Sequence, residues 1–457
     1  MTKILPTIGP ISDSENNLRK VLKFTDTVRL NGSHNNLNWH IKVSSLIKKI
    51  DSNCKILIDV PGVKPRTENL DNIEIRKNQK VLFFFKKKPR QLTSDLNKVF
   101  VKISNPLPYF SKIKLFSVSD GNYIFRFTKK GKNYLEGMSL QNFVLLPKKG
   151  LNVPGSLYSD KLQLKVYLNF ISKIKKVKFD AVGLSFIQND NVLKILRKKY
   201  PQLTLISKIE NLSGIKNIEK IVKASDAIMI DRGDLSAEIG NNQLYNSIIN
   251  ISNISNYLGK PLIMATENLF SMQTNSSPSK SEIISLAFSN QIQSDQIMLS
   301  DETATSKNWL KILYWLKDFI SSSNKFNMSK RYKNNIDLNN NIFNNIFKSL
   351  ENTTLIIFTK KGYIINKILS SKKKNKFFVF SDNKKVINQS FFSANCTAFL
   401  TKRFPKNMES FIFNNIKKKK KLIFKSNLSA FLTYVNYPKK GSRANTLSLI
   451  KKNIFNN

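Results

Sequence analysis

Eight short runs of β-forming residues alternate with amphipathic segments along the first 320 residues of the chain. The intervening segments carry apolar residues at three- and four-residue spacing, the pattern of helices with one buried face. This alternation predicts βαβ units with parallel strands, and eight such strands close into a TIM (β/α)8 barrel. The predicted strands are Lys3–Ile8, Thr27–Asn31, Lys55–Val60, Asp180–Phe186, Thr204–Ile209, Ala227–Ile230, Pro261–Ala265 and Gln296–Ser300.

Two further domains are predicted from the regions that break this pattern. Residues 66–149 contain VLFFF, KVFVKI, KIKLFSV, YIFRF and NFVLL, separated by turn residues, which predicts an inserted all-β lid domain. Residues 1–65 and 150–335 would then form the barrel, and a polar, Asn-rich stretch at 322–341 predicts a linker. Residues 340–457 are predicted to form a C-terminal α/β domain, and Leu422–Phe424 is one of its predicted strands.

The strong basic excess of the chain is a weak guide to its partners. The 76 Lys and Arg residues outnumber the 30 Asp and Glu residues, giving a formal charge of +46, which by itself suggests polyanionic partners. The lysines are spread along the chain, in runs such as Lys86–Lys88 and Lys417–Lys421, without an arginine-rich arm. We therefore interpret them as solvated faces and expect no specific nucleic acid partner.

Location in the cell is also constrained by composition. No stretch approaches the roughly 18 apolar residues of a membrane span, and the start of the chain lacks a basic segment followed by an apolar one. Cys54 and Cys396 lie far apart in apolar contexts, so we expect two buried thiols rather than a disulfide. These features predict a cytoplasmic protein without a membrane partner.

Charged side chains follow the predicted strands at their carboxyl ends, which meet at one mouth of a parallel barrel. Lys208 and Glu210 are two residues apart on the fifth strand, so they share one face. Asp234 follows the sixth strand, and with Glu210 it provides oxygen ligands without a neighbouring His or Cys, a donor set that suits Mg²⁺ or Mn²⁺. Arg29 and Arg66 add cations suited to phosphate oxygens, so the set favours phosphoryl transfer.

Eight ordered segments carry a family resemblance: TKILPTIGP, VRLNGSH, ILIDVPGVKPRT, KKGLNVPG, SKIENLSGIKN, SDAIMIDRGDLSAEIG, PLIMATENLFSM and QIMLSDETA. In this order they resemble the first strand, the Arg-Leu-Asn-x-Ser-His motif, the loops into and out of the lid, the two metal-binding segments and the last two strand ends of pyruvate kinases. The resemblance covers the barrel and the lid, and more faintly the C-terminal domain. It implies a homo-oligomer, with a tetramer as the family's usual form.

The resemblance implies an enzyme that transfers the phosphoryl group of phosphoenolpyruvate to ADP, giving pyruvate and ATP in the final step of glycolysis. Lys208 would stabilise the transferring group, Arg29 would contact the phosphate, and Arg66 would help hold the phosphoryl end of the site. Thr266 would lie on the face of the enolate that becomes protonated. The substrate-binding residues that it implies are Arg29, Lys208, the amides of Gly233 and Asp234, Thr266, Ser300 and Glu302.

The resemblance also implies cation and nucleotide sites. Glu210 and Asp234 would hold the divalent Mg²⁺ or Mn²⁺. For His34 a purely structural role is an equal alternative. The implied monovalent-cation ligands are Asn31, Ser33, Asp59 and the backbone carbonyl of Val60, and the implied nucleotide-side residues are His34, Arg66, Lys149 and Asn152.

The chain also departs from the family pattern. Lys64 stands where many members have a glutamate, and its ammonium resembles that of members that dispense with potassium, so we predict weak or absent potassium activation. Asp231, Glu267 and Asp301 each replace a neutral residue and make the site more acidic. One alternative is therefore a catalytically weakened member that acts as a basic polyanion-binding or structural protein. Another is a barrel aldolase or lyase that acts on pyruvate-like substrates, which would not need the lid.

Overall fold

Eight parallel strands close into a barrel, with the first strand paired to the eighth. The computed structural model describes residues 2–89, 98–111, 113–323, 350, 352–365, 375–405, 408–425, 427, 429–434 and 446–455. The predicted TIM barrel is confirmed, and the predicted strands agree with the structure to within one or two residues at each end. In order, the barrel strands are Lys3–Ile8, Thr27–Asn31, Lys55–Val60, Ala181–Leu184, Thr204–Ile209, Ala227–Asp231, Leu262–Ala265 and Gln296–Leu299.

Amphipathic helices surround the barrel and bury their apolar faces against the strands. Five of them are capped by a side chain that accepts a hydrogen bond from a backbone N–H of the first turn, namely those of Ser14, Asn36, Ser159, Asn211 and Ser279. The helices of this region are Glu15–Val21, Leu37–Ile50, Asp160–Lys173, Asn191–Lys199, Leu212–Lys216, Ile218–Ala224, Arg232–Ile239, Asn241–Tyr257, Lys280–Gln291, Asp301–Ala304 and Trp309–Ser323.

The segment between the third barrel strand and the helix that starts at Asp160 forms the lid domain, with one sheet of six strands and one of two. Aromatic side chains fill its core, and the rings of Phe116 and Phe125 stack while Phe83 meets both edge-on. The lid therefore has a core of its own. Its strands are Ile73–Ile75, Lys80–Phe85, Val99–Ile103, Leu115–Val118, Tyr123–Gly131, Tyr134–Ser139, Phe143–Leu145 and Leu151–Asn152.

The C-terminal domain is built on a five-stranded sheet flanked by helices Lys384–Phe391 and Glu409–Ile423. The strand predicted at Leu422–Phe424 is wrong, because this segment ends the second of these helices, whose buried face carries Ile412, Ile416 and Ile423. Most of the predicted linker lies outside the described residues. In sheet order the strands are Cys396–Leu400, Lys376–Ser381, Thr354–Phe358, Ser429–Tyr434 and Thr446–Lys451, of which the last is antiparallel.

The C-terminal domain closes the end of the barrel at which the strands begin. Lys3 Nζ donates to the carbonyl of Phe391 (3.0 Å), and Asp295 accepts from the amide of Ala394 (2.8 Å). Phe392 is fully buried in a cluster with the inward-facing barrel residues. The opposite mouth, where the strands end, meets the lid through the pair between Lys64 and Asp120. No helix in the described ranges has both the length and the apolar character needed to cross a membrane.

Candidate active site

Lys208 lies at the centre of the polar side chains in the barrel mouth, and its side chain is 7% exposed. Its Nζ is 2.7 Å from Glu210 Oε1, 3.1 Å from Asp231 Oδ2 and 3.4 Å from Asp59 Oδ2. Burial alone would lower the pKa of Lys208, but the three carboxylates raise it well above its usual value. Lys208 is therefore a permanent cation, and one ammonium is shared by three carboxylates.

Arg29 provides a second buried cation beside Lys208. Both Nε and Nη2 donate to Asp59 Oδ2, at 3.0 and 2.8 Å, and Nη1 donates to Thr7 Oγ1 at 2.8 Å. Burial would raise the pKa of Asp59, but Arg29 and Lys208 lower it overall. Asp59 thus orients two of the three cations that the sequence predicted for the phosphoryl site, whereas the third, Arg66, is exposed.

Glu210 and Asp234, the predicted divalent-metal ligands, are held in different ways. Glu210 is completely buried, and its Oε2 accepts from the amide of Phe186 (2.6 Å). Burial raises the pKa of Glu210 to about 8, although Lys208 opposes the shift. Asp234 is paired with Lys64, which outweighs burial and lowers the pKa of Asp234.

The donor set of this mouth fits a hard divalent cation. Glu210, Asp231 and Asp234 each offer a carboxylate oxygen, and these atoms lie within 4.8 Å of one another. Among the described residues this is the one group of three or more His, Cys, Asp or Glu residues with that spacing. Oxygen donors without nitrogen or sulfur suit Mg²⁺ or Mn²⁺.

Lys64 connects the barrel mouth to the lid. Its buried ammonium is paired with Asp234 and with Asp120 Oδ1 (3.2 Å), and Asp120 lies in a turn of the lid sheet. Burial would lower the pKa of Lys64, but these two carboxylates raise it. A Cβ at Gly150 would lie within 3 Å of the end of the Lys64 side chain, so a larger residue there would displace the ammonium.

Thr266 and the start of helix Arg232–Ile239 form the next side of the mouth. Thr266 Oγ1 accepts from the amide of Gly233 (3.1 Å), and its hydroxyl lies within hydrogen-bond distance of both the Ala265 carbonyl (2.7 Å) and Asp231 Oδ1 (3.1 Å). The backbone of Thr266 has φ +60°, a strained conformation for a β-branched residue and one that is found at functional sites. The predicted Thr266 and Gly233 thus meet directly.

The predicted Ser300 and Glu302 follow the last barrel strand. The amide of Ser300 donates to Glu302 Oε2 at 2.6 Å, and Glu302 is buried. Burial raises the pKa of Glu302 to about 7, so its carboxyl can both give and take a proton near neutral pH.

Three of the predicted monovalent-cation ligands, Asn31, Asp59 and Val60, accept hydrogen bonds from neighbouring groups, and the fourth, Ser33, is exposed. Asn31 Oδ1 accepts from the amide of Ser33 (3.1 Å), and the Val60 carbonyl accepts from the amide of Ser185 (3.4 Å). Asp59 is directed to Arg29 and Lys208, as described above. The Lys64 ammonium is paired with other carboxylates, so its part in replacing potassium stays a prediction.

The predicted nucleotide-side residues surround the entrance to the lid. His34 and Arg66 are exposed, and Arg66 Nη1 donates to the Lys148 carbonyl (3.2 Å). Burial lowers the pKa of His34, while Asp301 opposes and Arg66 adds to the shift. Lys149 is half-buried, whereas Asn152 is completely buried beside Glu238.

Ser185, near the end of the predicted fourth strand, has its Oγ 3.5 Å from Lys208 Nζ. Two other residues of the site escaped prediction. Thr7 lies next to the end of the first strand and binds Arg29, so the rule that strand ends meet at one mouth could have identified it. Asp120 belongs to the lid, and no spacing in the sequence indicates that it reaches Lys64.

The fold and the site together define a lidded (β/α)8-barrel protein whose mouth combines buried cations with carboxylates. The barrel-domain model of the pyruvate kinase family matches residues 1–310 of the chain. The chain therefore belongs to the pyruvate kinase family.

Two relatives agree with this assignment, and a solved structure agrees with the fold. A pyruvate kinase of Thermococcus litoralis is 32% identical over 317 residues, which span 67% of this chain and 66% of that relative. A pyruvate kinase of Thermotoga maritima is 28% identical over 335 residues, 71% of each chain. The crystal structure of a pyruvate kinase from Cryptosporidium parvum superposes with a TM-score of 0.78 at 21% identity, covering 98% of this chain and 96% of that chain, and supports the fold.

The sequence matches do not extend over whole relatives. The chain matches just under two thirds of the length of the Thermococcus litoralis relative, and 54% of a pyruvate kinase of Staphylococcus epidermidis. The family is thus established by the barrel.

Proposed function

We propose that this protein is an active pyruvate kinase that transfers the phosphoryl group of phosphoenolpyruvate to ADP. The observation that carries the proposal is the position of Lys208, which is surrounded by the carboxylates of Asp59, Glu210 and Asp231. Asp59 also pairs with Arg29, so the two cations share one carboxylate. Two fixed cations beside carboxylates that suit a metal ion form a site for an anion and a divalent cation together. The reaction would be the final step of glycolysis, in the cytoplasm, and the family resemblance favours a tetramer.

Phosphoryl transfer in this site would depend on charge stabilisation. The bond between phosphorus and the enol oxygen breaks, and a bond from phosphorus to a β-phosphate oxygen of ADP forms. Lys208 would neutralise charge on the transferring group, and Arg29 would orient the phosphate through its free donor capacity. Asp59 would hold both cations in place, so that no reorganisation is needed during the reaction.

Mg²⁺ or Mn²⁺ would be held by Glu210 and Asp234, and when bound it would supply Lewis-acid stabilisation of substrate oxygens. Burial leaves Glu210 with a pKa of about 8, so a cation beside it would favour its charged form. The amides of Gly233 and Asp234 would receive the substrate carboxylate at the start of helix Arg232–Ile239, whose dipole favours an anion.

The enolate that remains would take a proton at its methylene carbon to become pyruvate. Thr266 would lie on the protonated face, with Ser300 and Glu302 extending a path for the proton. The pKa of Glu302, raised to about 7 by burial, suits a group that gives and regains a proton near neutral pH.

The lid would exclude water, which otherwise competes with ADP as phosphoryl acceptor. The pair between Lys64 and Asp120 joins the lid to the barrel mouth. Arg66, Lys149, Asn152 and His34 would lie on the nucleotide side, next to the lid's entrance and exit.

The test is steady-state formation of pyruvate from phosphoenolpyruvate and ADP by the full chain with Mg²⁺. We expect turnover that chelation abolishes and that Mn²⁺ restores. Glu210→Gln should lower turnover by at least about a hundredfold, because the metal site loses a charged ligand. Glu74→Gln, an exposed glutamate of the lid, is the matched control. A folded protein that makes no pyruvate with either metal would contradict the proposal.

A further inference from the structure

The side chain of Asp231 is directed into the barrel mouth, although its place in the chain offers it another partner. It is the N-cap residue of helix Arg232–Ile239, where an aspartate usually accepts a hydrogen bond from the first helical turn. It makes no such capping bond. Its Oδ1 lies 3.1 Å from Thr266 Oγ1, and its Oδ2 pairs with Lys208 Nζ at 3.1 Å.

The carboxylate of Asp231 lies at a distance that suits a shared cation. The oxygens of Glu210, Asp231 and Asp234 are within 4.8 Å of one another. Oxygen ligands of Mg²⁺ at about 2.1 Å lie about 3 Å apart when adjacent and about 4.2 Å apart when opposite. A small movement of the side chains would therefore let all three bind one ion.

The charge and bonding of these carboxylates also favour a cation. Lys208 is the ammonium with which Asp231 pairs, and it is shared with Asp59 and Glu210. Glu210 Oε1 is buried, and although Lys208 Nζ is 2.7 Å away it receives no hydrogen bond of good geometry. Three carboxylates thus share one ammonium, and a buried oxygen of Glu210 keeps a lone pair that could bind a cation.

Resting on the proposed function, we propose that Asp231 is a third carboxylate ligand of the divalent cation, beside Glu210 and Asp234. The charge of the ligands sets the affinity of a site built from oxygen donors. Three carboxylates already in place would let the free protein bind the cation before either substrate arrives.

The test is the binding of Mn²⁺ to the metal-free full chain, measured from the electron paramagnetic resonance signal of free Mn²⁺ without phosphoenolpyruvate or ADP. Asp231→Asn keeps the shape of the side chain and removes its charge, and Asp231→Ala removes both. We expect each to raise the Kd for Mn²⁺ at least about tenfold. Loss of a residue that only hydrogen-bonds to a metal ligand already weakens metal binding by about that factor. Asp301→Asn, the same change at an exposed aspartate of the mouth, should alter the Kd by less than about twofold.

Glu210→Gln separates failure of this inference from failure of the proposed function. If Glu210→Gln weakens Mn²⁺ binding and both Asp231 variants bind as tightly as the wild type, Asp231 serves only as a counter-ion of Lys208 and the inference is overturned. If none of the three variants changes the Kd, the proposed metal site is wrong and the inference falls with it. Circular dichroism of each variant establishes that it is folded, and Asp231→Asn suffices if Asp231→Ala does not fold.

Discussion

Lys208 and Glu210 are two residues apart on one barrel strand, and Lys208 Nζ lies 2.7 Å from Glu210 Oε1. The period of two in a β-strand directs both side chains to the barrel interior, so a cation and a carboxylate that suits a metal meet in one place. This pair links the group that would stabilise the phosphoryl to the group that would hold the metal.

Potassium should have little effect on the rate. The buried ammonium of Lys64, paired with Asp234 and Asp120, already supplies a fixed positive charge beside the metal site. We expect that removing potassium at constant ionic strength changes turnover by less than about tenfold, or ~1.4 kcal/mol of barrier. Lys64→Met, which removes the charge, should cost more than potassium removal costs the wild type. A larger potassium effect on the wild type would contradict this account of Lys64.

Glu238 should make folding stability fall as pH rises. Burial raises its pKa from about 4.5 to about 8, while Lys64 opposes the shift. The carboxyl is then protonated in the folded chain at a pH where the unfolded chain has ionised. Stability from this group is therefore complete below pH 4.5 and is lost as pH rises to about 8, by ~1.4 kcal/mol per pKa unit.

Glu238→Gln tests this pH dependence, because glutamine has no proton to lose. We compare the melting temperature of the variant with that of the wild type at pH 5.5, where the folded Glu238 is still protonated, and at pH 8.5, just above its folded pKa of about 8. The variant should gain relative to the wild type as the pH rises from 5.5 to 8.5. Glu74→Gln, at an exposed position, should show no such change. An equal difference for Glu238→Gln at both pH values would show that the buried carboxyl does not titrate in this way.

Gly183→Ala should disturb the site through Asp59. A Cβ at Gly183 would collide with Asp59 Oδ1, whose carboxylate orients Arg29 and Lys208. We expect turnover to fall at least about tenfold, or ~1.4 kcal/mol. In an Asp59→Asn background, Gly183→Ala should lower turnover by a clearly smaller factor, because the effects of substitutions at contacting residues are not additive. Equal costs in both backgrounds would mean that the effect does not pass through Asp59.

The two cysteines should be inert in the folded protein. Cys54 and Cys396 are buried, and burial raises the pKa of both thiols, that of Cys396 to about 12. Because the thiolate is the reactive form, neither should react with a thiol-specific disulfide reagent at neutral pH. Both should react after unfolding. Rapid modification of either in the native protein would contradict the burial described here.

The barrel was predictable because its signals are local. Strand periodicity placed the eight strands, and the rule that parallel strand ends meet brought Arg29, Lys208 and Glu210 together. The C-terminal domain was harder, since the lysine run Lys417–Lys421 conceals a helix whose buried face consists of Ile412, Ile416 and Ile423. Strands Ser429–Tyr434 and Thr446–Lys451 were also missed.

Contacts between residues that are far apart in the chain could not be predicted from the sequence. Asp231 was noted as an acidic replacement, but its contacts with Lys208 and Thr266 depend on a side chain that forgoes its capping bond. The pair of Lys64 with Asp120 depends on how the lid folds over the barrel mouth. Neither contact produces a residue spacing or a periodic pattern that can be recognised in the sequence.

The most direct test follows the phosphoryl group itself by ³¹P nuclear magnetic resonance, in a sample of the full chain with phosphoenolpyruvate, ADP and Mg²⁺. For the wild type we predict loss of the phosphoenolpyruvate signal with matching growth of the three ATP signals. Lys208→Met, which retains most of the side-chain volume and lacks the ammonium, should slow this conversion by at least about a hundredfold. No ATP from folded wild-type protein, with Mg²⁺ or Mn²⁺, would contradict the account and favour a polyanion-binding protein on a pyruvate kinase fold.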